Sequence, residues 1–332
     1  MEIKKISDEG LRVLSNLAQH YDAWIEAERA VSPGRLAWKT VDERDYLYRI
    51  TDSRGNGKSL GRRDASTEAQ FEAFQLARET SERAWASCER DGAIYRALRL
   101  PRIASYAAEV LREVDTAGLL GSDGVLVIGT NAMAAYAIEA AVTLPPTIDA
   151  TEDFDLTWVR EESGDPFEPT VFESLKRADS TFTINAERTF QARNADGHEV
   201  ELLLPESLDG ALPKHERFRP IPLPEQDWLL PGQRVEHIVC GFDATPARIV
   251  APDPRWFALH KLWLSEKPTR NPLKKTKDAL QGMLLLDMVL DHMPRFVIDG
   301  EFRAELPEPL KPYLDRWYAT RAAPDGTPRR TR

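Results

Sequence analysis

Apolar residues recur at three- and four-residue intervals from Leu11 through Leu14, Leu17 and Ala18 to Tyr21, Trp24 and Ile25, which predicts a first amphipathic helix. The period then shortens. Trp38 and Val41, followed by Tyr46, Tyr48 and Ile50 at alternate positions, predict a small hairpin turning near Asp42-Glu43. The next segment, DSRGNGKSLGRRDASTEAQ, carries no apolar period and reads as a glycine-rich basic loop entering a helix, with Ser66 and Thr67 as N-cap candidates. A long charged helix follows over 68–97, with Phe71, Phe74, Leu76 and Ala77 on its apolar side. Another runs from 103 to about 117 and stops at Gly118.

From residue 125 the pattern is mixed. A short apolar run (125–128) leads through Gly129-Thr130 into an alanine-rich helix, and a second strand carries Asp153-Phe154-Asp155. A short helix over 171–177, strands at 181–184 and 190–193, a turn at 194–197 and the strand HEVELLLP complete this part. Residues 208–231 are proline-rich and loop-like, and 235–240 with 247–250 suggest a hairpin. Pro254 sits where proline is favoured at a helix start. A last long helix over 273–292 has Lys274, Lys275 and Lys277 in its first turns and Leu280, Met283, Leu284 and Met288 on its expected buried side. The tail AAPDGTPRRTR reads as disordered.

Helices, strands and hairpins around one sheet predict an α+β chain. Its divisions are a mainly helical N-terminal region (1–118), a central core (119–207), a C-terminal region with hairpin and helices (208–320) and a tail (321–332). Composition changes little in this picture. A net charge of −10 over 332 residues argues against a general nucleic-acid coat protein. Cys88 and Cys240, the two cysteines, offer neither a disulfide framework nor a thiolate metal site and are expected to be buried. The N-terminus lacks the apolar core of a signal peptide, and residues 124–144 are too alanine-rich to insert in a bilayer, so a cytoplasmic protein is expected.

Candidate chemistry lies in the core. Alternation along a strand puts Asp153 and Asp155 on one face, and two such carboxylates invite a divalent cation. Mg²⁺ prefers oxygen ligands together with substrate phosphates. Glu201, set among Val200, Leu202, Leu203 and Leu204, is a third candidate, since an unpaired buried carboxylate is costly. Lys261, within an apolar helix register, and the lysines at 274–277 are candidate phosphate partners, while His260 lacks a second histidine at ligand spacing and reads as a packing residue. Lys58, Arg62 and Arg63 beside Gly55, Gly57 and Gly61 read more naturally as a solvated connection than as a phosphate loop.

The order strand, Gly129-Thr130, helix, Asp153-Phe154-Asp155, hairpin, acidic strand resembles the nucleotidyltransferase fold of the polymerase-β-like superfamily. More closely, the chain looks like an uncharacterised bacterial nucleotidyltransferase-like family with a Trp-Lys and Tyr-Leu-Tyr segment (Trp38-Lys39, Tyr46-Leu47-Tyr48), a Ser-Leu-Gly loop (Ser59-Leu60-Gly61), a Gly-Thr-x-Ala turn from Gly129 to Ala132, and His260-Lys261-Leu262 followed by Lys277-Asp278. The resemblance implies a mixed-sheet core flanked by helical regions. It also implies transfer of a nucleoside monophosphate from an NTP such as ATP to an acceptor hydroxyl, with release of pyrophosphate. Asp153, Asp155 and Glu201 would then hold two Mg²⁺ ions and carry catalysis, and Gly129, Thr130, Lys261 and Lys277 would contact the nucleotide. The acceptor stays open between tRNA, protein and a small molecule. A non-catalytic binding or sensing module, one half of a toxin–antitoxin or phage-defence pair, is the alternative. The gap between Gly129 and Asp153 is longer than in most of the superfamily, and aspartate is commoner than glutamate at the third acidic position.

Overall fold

The computed structural model describes residues 3–31, 34–50, 55–121, 124–145, 153–161, 170–212 and 214–321. The expected disordered tail and residues 146–152 of the long connection before Asp153 lie outside them.

A two-residue strand β1 (Lys4–Lys5) precedes α1 (Asp8–Ala30), whose N-cap Ser7 accepts from the Gly10 amide. Strands β2 (Arg35–Val41) and β3 (Arg44–Ile50) form the expected hairpin, with Asp42 and Glu43 both at positive φ, as a tight primed turn requires. The segment expected to be a glycine-rich loop contains a third strand, β4 (Gly57–Arg62), paired to β3. Glycine, lysine, serine and arginine give it little strand propensity. It is held by the ladder, with an irregularity opposite Leu47 and Tyr48 where Gly61 takes φ +144. α2 (Ala65–Ala97) is capped by Asp64, two residues before the expected Ser66 and three before Thr67, and Thr67 completes a reciprocal capping box. Leu76, expected on its apolar side, is exposed.

α1 and α2 pack along each other as an arm. At one end of the arm, Leu36 and Leu47 of the β2–β3–β4 lobe meet Phe74. At the other, Leu17, Tyr21 and Tyr95 form a cluster with Cys88, Cys240 and Ile238, so both cysteines are buried thiols and the arm is joined to the rest of the chain.

Strand β5 (Arg102–Ile103) and α3 (Ser105–Thr116) follow, and α3 is ended by Gly118 at φ +73. The central elements are β6 (Val125–Val127), α4 (Ala132–Glu139), β7 (Val142–Thr143), β8 (Asp153–Trp158), α5 (Val171–Ala178), β9 (Thr183–Ile184), β10 (Gln191–Arg193), β11 (Glu199–Pro205) and β12 (Pro222–Leu223). Six strands form a mixed sheet in the order β6-β8-β11-β10-β9, with β12 beside β11. β8 and β11 run parallel at its centre, and β6 and β10 are antiparallel to them. Beyond it, β13 (Val235–Gly241) and β14 (Pro246–Ala251) form a hairpin on which α3 and α4 pack. α6 (Pro254–Glu266) and α7 (Pro272–His292) lie against each other, and α8 (Gly300–Glu305) and α9 (Lys311–Arg321) close the C-terminal side. On α7, Leu284 and Met288 are buried as expected, but Leu280 is exposed. The sheet, α3, α4, α6 and α7 share one continuous apolar core. The fold is α+β, with a mixed sheet flanked by helical regions. Among the described residues no helix is long and apolar enough to cross a membrane.

Candidate active site

The site begins at the turn between β6 and α4. Gly129 has φ +65, and a Cβ there would collide with the Asp155 carboxylate, so the position needs glycine on both counts. The turn is tied to β8. The Ile128 amide donates to the Asp155 carbonyl at 3.0 Å, and the Asn131 side chain donates to the Asp153 carbonyl at 3.2 Å. α4 is buried from Ala132 through Ile138, and its alanines let the helix approach its neighbours closely. Thr130 is also buried. Its hydroxyl accepts from Gln281 of α7 at 3.4 Å and does not line the adjoining cleft, whereas Gly129 does.

Along β8, Phe154 and Leu156 fill the core while Asp153 and Asp155 share the other face. β11 is in parallel register with it, placing Glu199 beside Asp153 and Glu201 beside Asp155. Four carboxylates therefore belong to one patch of two neighbouring strands. Sequence reasoning singles out three of them and misses Glu199, although Glu-Val-Glu repeats the alternation of Asp-Phe-Asp. Burial raises the Asp155 pKa and the Asp153 charge adds to the rise, while Lys261 and Lys274 oppose it. Burial also raises Glu201, with Asp155 next in size, against a hydrogen bond of 2.6 Å from Gln191 of β10. Asp153 accepts an ion-pairing hydrogen bond of 2.8 Å from Lys274 of α7. Among the described residues no three His, Cys, Asp or Glu side chains converge as a metal-holding group.

A cleft of about 270 Å³ opens over this patch. Gly129, Asp155 and Glu201 line one side, and Lys261, Lys267, Arg270 and Lys274 line it from α6, α7 and the turn between them. Leu203, Phe257 and Leu264 add an apolar wall. The cations are themselves braced. Asp278, 2% exposed, accepts from Lys261 on one oxygen and from Arg270 on the other, both at 2.8 Å. Burial alone would raise the Asp278 pKa, but Lys261 and Arg270 outweigh it and hold the carboxyl low. Burial pulls Lys261 down despite that partner. Lys274 would be lowered by burial, but its bond to Asp153 carries it upward.

Of the residues expected to contact a nucleotide, Gly129 and Lys261 line the cleft, and Thr130 and Lys277 do not. Lys274, in the first turn of α7, sits where Lys277 was expected. Arg270 and Lys267 lie in an aperiodic connection that gives no sequence signal. His260 lines the cleft as a packing residue. It is 3% exposed, its ring nitrogens have no hydrogen-bond partner among the described residues, and it is flanked by Trp228 and Trp263. Burial, with the Lys261 charge second, pushes its pKa down to about 3. Lys58, Arg62 and Arg63 do not line the cleft.

Residues 105–304 match the sequence model of a nucleotidyltransferase family, which is more than half of the chain, and the chain belongs to that family. No curated protein matches it. A solved structure of an antigenic nucleotidyltransferase-like protein from Paracoccidioides brasiliensis is similar at 16% identity, over 66% of this chain and 90% of that one, with a TM-score of 0.38.

Proposed function

We propose that this nucleotidyltransferase moves a nucleoside monophosphate from an NTP, such as ATP, to an acceptor hydroxyl. The acceptor oxygen bonds to the α-phosphorus, the bond to the β-phosphate oxygen breaks, and its electron pair leaves with pyrophosphate. The observation that carries the reading is the opposition across one cleft of the Asp155 and Glu201 carboxylates and the Lys261, Arg270 and Lys274 cations, with Asp153 on the same face of β8 as Asp155 and bonded to Lys274.

The all-oxygen donor set fits Mg²⁺, which commonly takes one or two protein carboxylates and completes its shell with phosphate oxygens and water. Asp153 and Asp155 would hold it with Glu201 beside them, two ions being the fuller arrangement, and it would supply neutralisation of the phosphate charge and alignment of the attacking and leaving oxygens. The chain's own residues do the rest. The Gly129 backbone, which lines the cleft, offers its amide to the β- and γ-phosphates. Lys261 and Arg270, fixed by Asp278, present positive charge without reorganising during the reaction. Lys274 moves from Asp153 to phosphate. Catalysis is positioning and electrostatics, as for phosphoryl transfer generally.

Calorimetry of ATP with Mg²⁺ tests the reading. Outer-shell partners of a metal are worth about 10–100-fold in affinity, so Asp153→Asn should lose at least about that much with its melting temperature retained. Unchanged affinity would refute the assignment.

A second reading has the site bind nucleotide without turnover, as a sensing module in a toxin–antitoxin or phage-defence pair. The ties of Asp153 to Lys274 and of Glu201 to Gln191 favour it, because each acid already has a partner. Incubation with α-labelled NTP and bacterial lysate separates the two. A labelled acceptor establishes transfer.

A further inference from the structure

The lobe at the end of the helical arm differs in charge from the rest of the molecule. Residues 35–63 contain eight Lys or Arg against four Asp or Glu, in a chain of net charge −10. One face of the lobe is spent on packing, through Leu36, Leu47 and Phe74, with Trp38, Leu60 and Phe71 around them. Alternation sends Lys39, Arg44, Tyr46 and Tyr48 to the opposite face. The register sets Tyr46 directly between Lys39 on one side and Arg62 on the other. In the adjacent row Tyr48 lies between Ala37 and Ser59, two small residues, and the Lys39 ammonium stands 5.0 Å from its ring centroid. Asp45, the acid within β3, is on the packing side, bonded to Thr40 and Arg63.

Cross-strand neighbours stand about 4.5–5.5 Å apart, so Tyr46 has a cation within one side-chain length on each side, while the cation at Tyr48 is the diagonal Lys39, whose ammonium also donates to the Gly55 carbonyl at 2.8 Å. A phosphodiester chain with unpaired bases matches such a face, because bases stack on the rings while phosphates meet the cations. A duplex offers no free base face to the rings and brings more phosphate charge against an acidic molecule. At 1.5 Å per residue, the stretch of α2 from Phe74 under the lobe to Tyr95 in the cluster with β13 spans about 30 Å. The lobe is thus held out from the cleft, a geometry suited to an extended ligand.

We propose that this face of the lobe binds single-stranded nucleic acid, its bases on Tyr46 and Tyr48 and its phosphates at Lys39, Arg44 and Arg62. The site is independent of the chemistry in the cleft.

The test is fluorescence anisotropy of the full chain with fluorescein-labelled oligouridylate and oligothymidylate, longer than the roughly 16 nucleotides that the largest single-module sites cover. A DNA duplex of equal length is the control. NTP and divalent metal are omitted, so the outcome does not depend on whether the cleft transfers nucleotides. Both single strands should bind more tightly than the duplex, and a preference between them identifies the sugar. Tyr46→Ala with Tyr48→Ala should weaken binding about tenfold or more. Arg44→Gln with Arg62→Gln changes exposed side chains and should keep the melting temperature while lowering the slope of log K against log salt by about 1.4, roughly 0.7 per cation. Absence of single-strand binding, equal binding of the duplex, or wild-type affinity and salt slope in both variants would overturn the proposal.

Discussion

His260 shows how a single residue's surroundings decide its chemistry. Read in sequence, it lacks a second histidine at ligand spacing and is expected to pack, and the fold closes Trp228 and Trp263 around it and leaves its ring neutral. The folded pKa of about 3 lies below the ordinary value near 6.5, so the folded state binds fewer protons than the unfolded chain. Stability from this group is therefore fully present above pH about 6.5 and is lost as pH falls from there towards 3. At pH 5 the loss is about 2 kcal/mol. His260→Phe keeps a ring of similar shape and removes the titration. Thermal unfolding should show the variant gaining on the wild type between pH 7.5 and pH 5, an interval that takes in a little under half of the loss. A constant difference across that interval would refute the burial argument. Gly129 is likewise legible from the chain, because glycine between a strand and a helix announces an unusual φ. Its second constraint, the Asp155 carboxylate against its Cα, depends on a strand more than twenty residues away and is visible only in the fold.

At the level of elements, two periodicities explain what could be read and what could not. Period two fixes a face once a strand is recognised, so Asp153 and Asp155 are legible as a pair, and Glu201 follows from the apolar residues around it. Glu199 obeys the same rule, but only the parallel register of β8 with β11 reveals that it stands beside Asp153 rather than at a solvated strand end. The lysines of α7 are harder. PLKKTKD offers three within four positions, and helical phase alone does not say which one meets the sheet. The answer depends on the N-cap at Asn271 and on how α7 lies along α6, which bring Lys274 to Asp153 and bury Asp278. The two lysines can be told apart by titration with ATP and Mg²⁺. Lys274→Ala removes a charged partner worth roughly 1.5–3 kcal/mol and should weaken binding by about tenfold or more. Lys277→Ala, outside the cleft, should leave the affinity within about twofold. Equal losses in the two variants would place the phosphates elsewhere on α7.

The whole molecule combines an acidic core that carries the cleft with a basic lobe on an arm, and their separation has an energetic basis. The lobe closes its own small cluster around Leu36, Leu47 and Phe74, while the end of the arm next to the core shares another with Ile238 and Cys240 of β13. Among the described residues no strand of the lobe pairs with the central sheet. This division is poorly legible in the chain because β4 looks like a solvated glycine loop, so the lobe reads as a hairpin with a basic appendage rather than a three-stranded unit. Since the two clusters are distinct, removing the lobe should cost the core little. Replacing residues 34–63 with a short Gly-Ser turn keeps α1 beside α2, whose mutual packing continues along the arm. The shortened chain should bind ATP with Mg²⁺ at wild-type affinity while losing affinity for single-stranded oligonucleotide. Measured side by side by calorimetry and anisotropy, a parallel loss of both would mean that lobe and cleft form one binding surface. Retention of oligonucleotide binding would move that surface to the core, where the cations of α6 and α7 are already committed to Asp153 and Asp278.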